Sequence, residues 1–320
     1  MKFGVFVPQG WKLDLTEIED PVAQYEAMTE VARVADNEPA IDSVWLYDHF
    51  HTVPTPELEA TFECWTATAT LARDTTRVKI GQMVSCMGYR NPALYAKIAS
   101  TVDVASHGRL YAGIGAGWYE HEWRAYGYEW TDTPTRMKRF REGVEIIHAM
   151  WTEDYPAYQG RHVHIDEPIN EPKSAQAGRK IPLWIGGGGE QVTLKLVAQY
   201  GDACNISGDN ETLTRKLGVL RGHCESVGRD YNEIVKSAQF RVHLIEPGAD
   251  PEKATAATRG DFIPFERYQN DYIIGTEDDI RREIERLIGC GMDYIIIVIA
   301  RAGYEPDLVR HVGSLVQPYT

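Results

Sequence analysis

Ile181-Pro182-Leu183-Trp184-Ile185-Gly186-Gly187-Gly188-Gly189-Glu190-Gln191 is an apolar run that enters four consecutive glycines and opens onto a helical stretch reaching Tyr200. Pro182 to Ile185 has the length and apolar content of a buried strand, and a strand that turns through glycine into a helix is a βα unit. Four glycines leave bare backbone amides beside a helix amino end, which is a cradle for a phosphate. A flexible turn is the plainer alternative, but four glycines cost order unless something must come close. Asn205-Ile206-Ser207-Gly208, after the next strand, adds donors from a neighbouring loop.

The same alternation runs outward in both directions. Strands are expected over Lys2 to Val7, Ser43 to Tyr47, Val78 to Met83, Leu110 to Ile114, Pro182 to Ile185, Asp202 to Asn205, Lys236 to Leu244 and Tyr294 to Ile299. Helices are expected over Pro21 to Asp36, Glu57 to Arg73, Pro92 to Ser106, Thr135 to Trp151, Gln191 to Tyr200, Glu211 to Val227, Thr276 to Gly289 and Glu305 to Leu315. Pro21 and Pro92 stand near helix starts, where a missing amide hydrogen costs little. Eight strands, each followed by a helix, predict an α/β fold of the (β/α)8 TIM-barrel type, with its active site at the C-terminal strand ends. Segments 115–133, 153–180 and 246–274 are too long for simple connections and read as lids or interface loops inserted in one domain spanning 1–320.

Composition narrows the function. The chain has 320 residues, 43% hydrophobic and 25% charged, as expected of a globular protein with a large core. With 33 basic against 47 acidic residues the net charge is −14, which argues against nucleic acid and requires any anionic ligand to be held by local groups. The amino end lacks a basic, then apolar, leader, and no window approaches ~18 apolar residues, so neither secretion nor a membrane span is expected. Cys64, Cys86, Cys204, Cys224 and Cys290 form no CxxC pair and have no His at metal-ligand spacing. They read as buried thiols in a reducing compartment, the cytoplasm, with no metal site.

The chemistry-bearing residues fall at strand ends. Trp45-Leu46-Tyr47-Asp48-His49-Phe50-His51 closes the second strand with an acid and an imidazole. A His there can hydrogen-bond a cofactor ring or move a proton near neutral pH, although the pair alone equally suits a turn cap and a polar rim. The third strand carries Gly81, a sign of a bulge or of a ligand close to the backbone, and leads into Met83-Val84-Ser85-Cys86-Met87-Gly88-Tyr89-Arg90-Asn91-Pro92. Gly113-Ile114-Gly115-Ala116-Gly117 follows the fourth strand without dinucleotide spacing, then Trp118-Tyr119-Glu120-His121-Glu122. Glu63, Glu120, His121 and Glu122 are candidate acids for which solvated surface is the default.

Taken in order, Trp45 to Phe50, Arg77 to Pro92, Gly108 to Gly117, Arg136 to Ile147, Ile181 to Asn205 and Gly275-Thr276 with its helix and last strand resemble the luciferase-like superfamily of flavin- and coenzyme F420-dependent oxidoreductases. The similarity covers nearly the whole chain, and the Asp48-His49 pair resembles the F420-using branch. The resemblance implies hydride transfer between F420 and a small organic substrate. His49 would sit at the deazaflavin edge and Asp48 would orient its loop. A non-prolyl cis peptide would join Met83 to Val84 behind the ring, with Ser85 beside it. Gly115, Gly117, Gly186, Gly187, Gly188, Gly189 and Asn205 would complete the cofactor site. Phe50, Trp118 and Tyr119 would form an aromatic substrate pocket. Val53 and Trp118 stand where the sugar-phosphate dehydrogenase members carry Trp and Glu, which points away from a sugar phosphate.

The alternative within the same fold is an FMN-dependent monooxygenase fed with reduced flavin by a separate reductase. A barrel that only binds a ligand is disfavoured by the intact Asp48, His49 and glycine elements. A metal-dependent hydrolase would need more strand-end ligands than His49 and His51 provide. Barrels of this superfamily commonly pair through outer helices, so a homodimer is expected.

Overall fold

The computed structural model describes residues 1–260 and 262–320. Its centre is a closed parallel barrel of β1 (Lys2–Phe6), β2 (Ser43–Leu46), β3 (Lys79–Gln82), β4 (Leu110–Gly115), β5 (Leu183–Gly186), β6 (Ala203–Asn205), β7 (Val235–Leu244) and β8 (Tyr294–Ile299). Each strand pairs with the next in chain order, and β8 closes on β1 with Lys2 opposite Tyr294 and Val5 opposite Ile297. Eight helices surround it: α1 (Pro21–Asp36), α2 (Cys64–Asp74), α3 (Pro92–Ala105), α4 (Thr133–Thr152), α5 (Thr193–Tyr200), α6 (Asn210–Val227), α7 (Glu277–Gly289) and α8 (Asp307–Val316). Their starts obey ordinary capping chemistry. Asp20, Asn91, Asp132 and Asp209 accept backbone amides, and Thr276 with Asp279 forms a capping box.

Successive strand side chains face opposite ways, and the two faces carry different residues. On β8, Ile295, Ile297 and Ile299 join the large apolar layer under the helices, whereas Tyr294 and Ile296 turn into the barrel. Inside, Trp45, Trp184 and Tyr294 pack with Tyr111 as an aromatic plug, Trp45 lying 4.7 Å from Trp184 between ring centroids. The plug explains two glycines. A Cβ at Gly81 would stand 2.5 Å from Trp45 Cζ3, and one at Gly4 would also strike the indole. Gly81 therefore makes room for Trp45, not for a ligand, and the ladder is unbulged there, with Gly81 opposite Trp45. At the foot of the barrel the Arg109 guanidinium donates to carbonyls of Ala72, Thr75 and Val78, tying the end of α2 to β3.

Two other expectations need correction. The second helix begins at Cys64, not Glu57. Cis Pro54 precedes that stretch, the Glu57 amide donates to Thr52 Oγ1 at 2.7 Å, and Gln9 Nε2 holds the Phe62 carbonyl at 2.6 Å. Glu63 then caps the helix through the Thr66 amide. Of the five free thiols, Cys290 is only half-buried.

The three long segments carry structure of their own. The first holds the short helix Glu120–Ala125, and the second an antiparallel pair, Ala157–Gln159 with His164–Asp166. The third, in which Asp261 lies outside the described residues, adds the short helices Pro251–Ala254, Ala256–Arg259 and Phe265–Asp271, then a strand, Ile273–Gly275, parallel to β7. No helix is long and apolar enough to cross a membrane.

Because Trp45 is fully buried between two glycines shaped around it, Trp45→Ala leaves a void that the barrel cannot close. A loss of about 3–5 kcal/mol in unfolding free energy is expected, read as a lower denaturant midpoint. An unchanged midpoint would show that the plug is not a stability element.

Candidate active site

A cavity of about 680 Å³ opens at the C-terminal ends of the strands. It brings together Asp48, His49, Met83, Val84, Gly115, Gly117, Trp118, Tyr119, Gly186, Gly187, Gly189 and Asn205. Three expected residues stand apart from it. Phe50 packs with Tyr89, Tyr126 and Tyr128 in a separate aromatic cluster. Ser85 is fully buried in the two-residue strand beside β4. Gly188 turns toward the Lys216 ammonium rather than into the cavity.

His49 is fixed on several sides. Its ring stacks on Trp11 at 4.7 Å, with Trp118 and Tyr119 edge-on beyond. Its Nδ1 lies 2.9 Å from Glu122 Oε2, and Glu122 is fully buried. The same carboxylate accepts the Tyr89 hydroxyl at 2.7 Å and the Phe50 amide at 2.7 Å. Burial alone would raise the Glu122 pKa. Hydrogen bonding and charge from His49, with the bonds from Tyr89 and Phe50, instead hold it below the usual carboxylate range. An ionised carboxylate only accepts, so Nδ1 carries the proton and Nε2 is the free ring nitrogen.

Asp48 does something different. Its two oxygens receive the Arg90 guanidinium and the Cys86 amide at 2.9 Å, and Arg90 also pairs with Glu63. The buried fork fixes the loop after β3 against the end of β2, so Asp48 is a positioning group rather than a free acid.

Behind the cavity the chain leaves β3 through a cis Met83–Val84 bond before re-entering the sheet at Ser85–Cys86. Val84 seats between β4 and β5 because neither has a side chain there. A Cβ on Gly115 would lie 2.6 Å from Val84, and one on Gly186 2.7 Å. Next along the rim, Gly187 has φ +114°, and its amide donates to the Asn205 carbonyl at 3.1 Å. A Cβ on Gly189 would sit 2.9 Å from the Thr193 hydroxyl at the start of α5. The loop is thus a backbone cradle closed by a helix amino end, with the Lys216 ammonium alongside, 3.3 Å from the Ser207 carbonyl. These groups fit a phosphate-bearing cofactor.

Glu122 departs from its default reading as a solvated acid, whereas Glu120 is exposed and paired with Arg124. His121 contacts His51 at 3.3 Å on the rim, and Glu63 is spoken for by the α2 cap and Arg90. Trp11, Tyr47, Gln239 and Arg241 also line the cavity and were not anticipated. Only the inward phase of their strands could have marked Tyr47, Gln239 and Arg241. The pairing of residues 49 and 122 leaves no local pattern.

Comparison with known proteins agrees with this architecture. An F420-dependent glucose-6-phosphate dehydrogenase of Amycolatopsis mediterranei is 28% identical over 233 residues, 71% of this chain and 67% of its own length. Two solved structures superpose over the whole chain at 19% identity: an F420-dependent secondary alcohol dehydrogenase in complex with an F420–acetone adduct, TM-score 0.79, and a monooxygenase from Streptomyces bottropensis, TM-score 0.80, each covered over 99% of its length. Residues 1–246 match the family described as luciferase-like monooxygenase. With three quarters of its length matched and the barrel closed strand by strand, the chain belongs to the luciferase-like monooxygenase family.

Proposed function

We propose that the protein is an F420-dependent oxidoreductase exchanging hydride between the deazaflavin and a small organic substrate. The observation that carries this reading is the His49–Glu122 pair, which presents one free imidazole nitrogen to a cavity backed by the Val84 bulge and edged by the glycine cradle. The similarity to F420-dependent dehydrogenases supports the choice of cofactor. The homodimer, residence in the cytoplasm, and a separate reductase where one is needed belong to the same proposal.

When bound, the deazaflavin supplies a ring carbon that gives or accepts hydride. The protein's share is placement and proton handling. Gly186, Gly187 and Gly189 with the start of α5 would hold the phosphodiester, Lys216 would add charge, and Val84 would support the ring. Glu122 keeps the Nδ1 proton of His49 in place, so Nε2 takes a proton from a substrate hydroxyl or returns one to a carbonyl oxygen. Trp11, Trp118 and Tyr119 cover the imidazole and limit water.

Four measurements test the reading. Fluorescence titration should show F420 binding more tightly than FMN; a preference for FMN would support the oxygenase, and binding of neither would refute the cofactor assignment. His49→Ala should lower kcat about 10²–10⁴-fold with little change in F420 affinity. Glu122→Gln should lower kcat less and distort the pH profile, because the imidazole loses its charged partner; wild-type rates and profile in both would remove the pair from catalysis. Gly187→Asp should weaken F420 binding about tenfold or more, since it sets a carboxylate against the phosphate at a positive φ. Unchanged affinity would relocate the phosphate.

A further inference from the structure

Tyr47, at the end of β2, is 8% exposed and its hydroxyl is buried without a hydrogen-bond partner. The hydroxyl faces the Gln239 amide and the Arg241 guanidinium on β7, yet reaches acceptable hydrogen-bond geometry with neither. Gln239 Oε1 and Arg241 Nε are likewise buried and unpartnered. All three residues line the cavity. Folded proteins rarely leave buried donors and acceptors unmatched, and these three stand together behind one wall of the cavity.

The charge at this wall points the same way. Asp271 is the carboxylate whose charge reaches Arg241, but it is paired with Lys12 at 3.5 Å. Arg241 has no ion pair among the described residues. Lys12, nearly buried and over the Trp11 ring, is pulled down to about 8 by burial and by Arg241, as expected where cations crowd. In a chain of net charge −14, a guanidinium on the cavity wall without an ion pair of its own is not a general surface property.

Topology separates this wall from the cofactor. In the closed order of eight strands, Val84 is seated between the ends of β4 and β5, whereas Gln239 and Arg241 stand two to three strands further round, on β7. A ring against Val84 would leave the β7 wall, with Gln239 and Arg241, to a second molecule in the cavity. The phosphate cradle on β5 and β6 is a different site.

We propose that Arg241, with Tyr47 and Gln239, is the substrate anchor, and that the substrate is an apolar organic acid whose carboxylate sits in the Arg241 fork. The inference rests on the reading of the cavity as an F420 site, since that reading assigns the Val84 side to the cofactor. A planar carboxylate matches the guanidinium fork with two parallel bonds, and the Tyr47 hydroxyl adds a third donor. The aromatic lining accepts the rest of the molecule.

The test uses the full-length protein saturated with oxidised F420 and three probes of similar shape: phenylacetate, neutral phenylacetamide and phenyl phosphate. Binding is read by ligand-observed NMR and by Trp fluorescence. Phenylacetate should bind about tenfold or more tightly than phenylacetamide, and more tightly than phenyl phosphate. Arg241→Met should abolish the difference between acid and amide while leaving F420 affinity within about twofold, and Arg241→Lys should restore part of it. Tyr47→Phe, which removes one oxygen from a buried ring, should weaken phenylacetate severalfold and guards against misfolding of the Arg241 variants. Equal affinity for acid and amide, preference for the phosphate, or an acid preference that survives Arg241→Met would each overturn the proposal. The same titrations without cofactor separate the two readings: if F420 does not bind the protein but the acid preference is retained, the cofactor assignment alone falls.

Discussion

Glu122 is fully buried and ionised, and a carboxylate there is tolerable only because donors reach it from two separate strand-end loops. Removing a charge from water costs several kcal/mol unless it is paired and hydrogen-bonded, so the bonds to His49, the Phe50 amide and Tyr89 are a condition of the short helix Glu120–Ala125 lying where it does. The constraint acts both ways. The loops after β2 and β3 bring the donors, and the segment after β4 brings the acceptor, so none of the three settles without the others. His49 then has one tautomer and one orientation before any ligand arrives. Asp48 makes a second clasp with Cys86 and Arg90 on the adjacent loop, so the loops after β2 and β3 are also joined by an interaction independent of Glu122.

Glycine serves two purposes in the barrel, and sequence alone does not separate them. Gly4 and Gly81 give space to the Trp45 indole deep in the plug, while Gly115 and Gly186 give space to Val84 at the mouth. Both are absences that fit a neighbouring side chain. Gly187 and Gly117 are different, since their positive φ turns the chain at the rim. Only this last group and the Val84 seats bear on ligand binding, so a glycine-rich strand end marks a site more securely than a glycine inside a strand.

Much of the fold was legible because it rests on local periodicity. Tyr294 to Ile299 shows its alternation plainly, and the eight strands fall within a residue or two of their expected bounds. The false helix start at Glu57 shows the limit: Glu57 to Ala60 has acceptable propensity, but Thr52 and Gln9 claim its backbone through side chains that no periodicity reveals. The cavity wall was legible where backbone geometry decides, at Gly186, Gly187 and Gly189, and the cis bond at Met83–Val84 was expected from the resemblance alone. The site was not legible where a long-range pair decides. Glu122 looked like one of several acids on a polar segment, and Phe50 looked like a pocket residue, because direction at a strand end depends on the loop that follows.

The charge distribution has the same character. An excess of 14 negative charges would repel an anionic ligand at long range, but screening limits that field to roughly 10 Å at ordinary ionic strength. Within that distance Lys216 lies behind the glycine cradle next to Gly188, and the mouth of the barrel presents Arg241, which has no ion pair among the described residues. A cation held this way costs stability in the empty protein, and the cost is recovered only when an anion is present. At Arg241 that cost would be recovered by an anionic group on the molecule proposed to meet the cofactor, whose own phosphate is assigned to the neighbouring glycine loop.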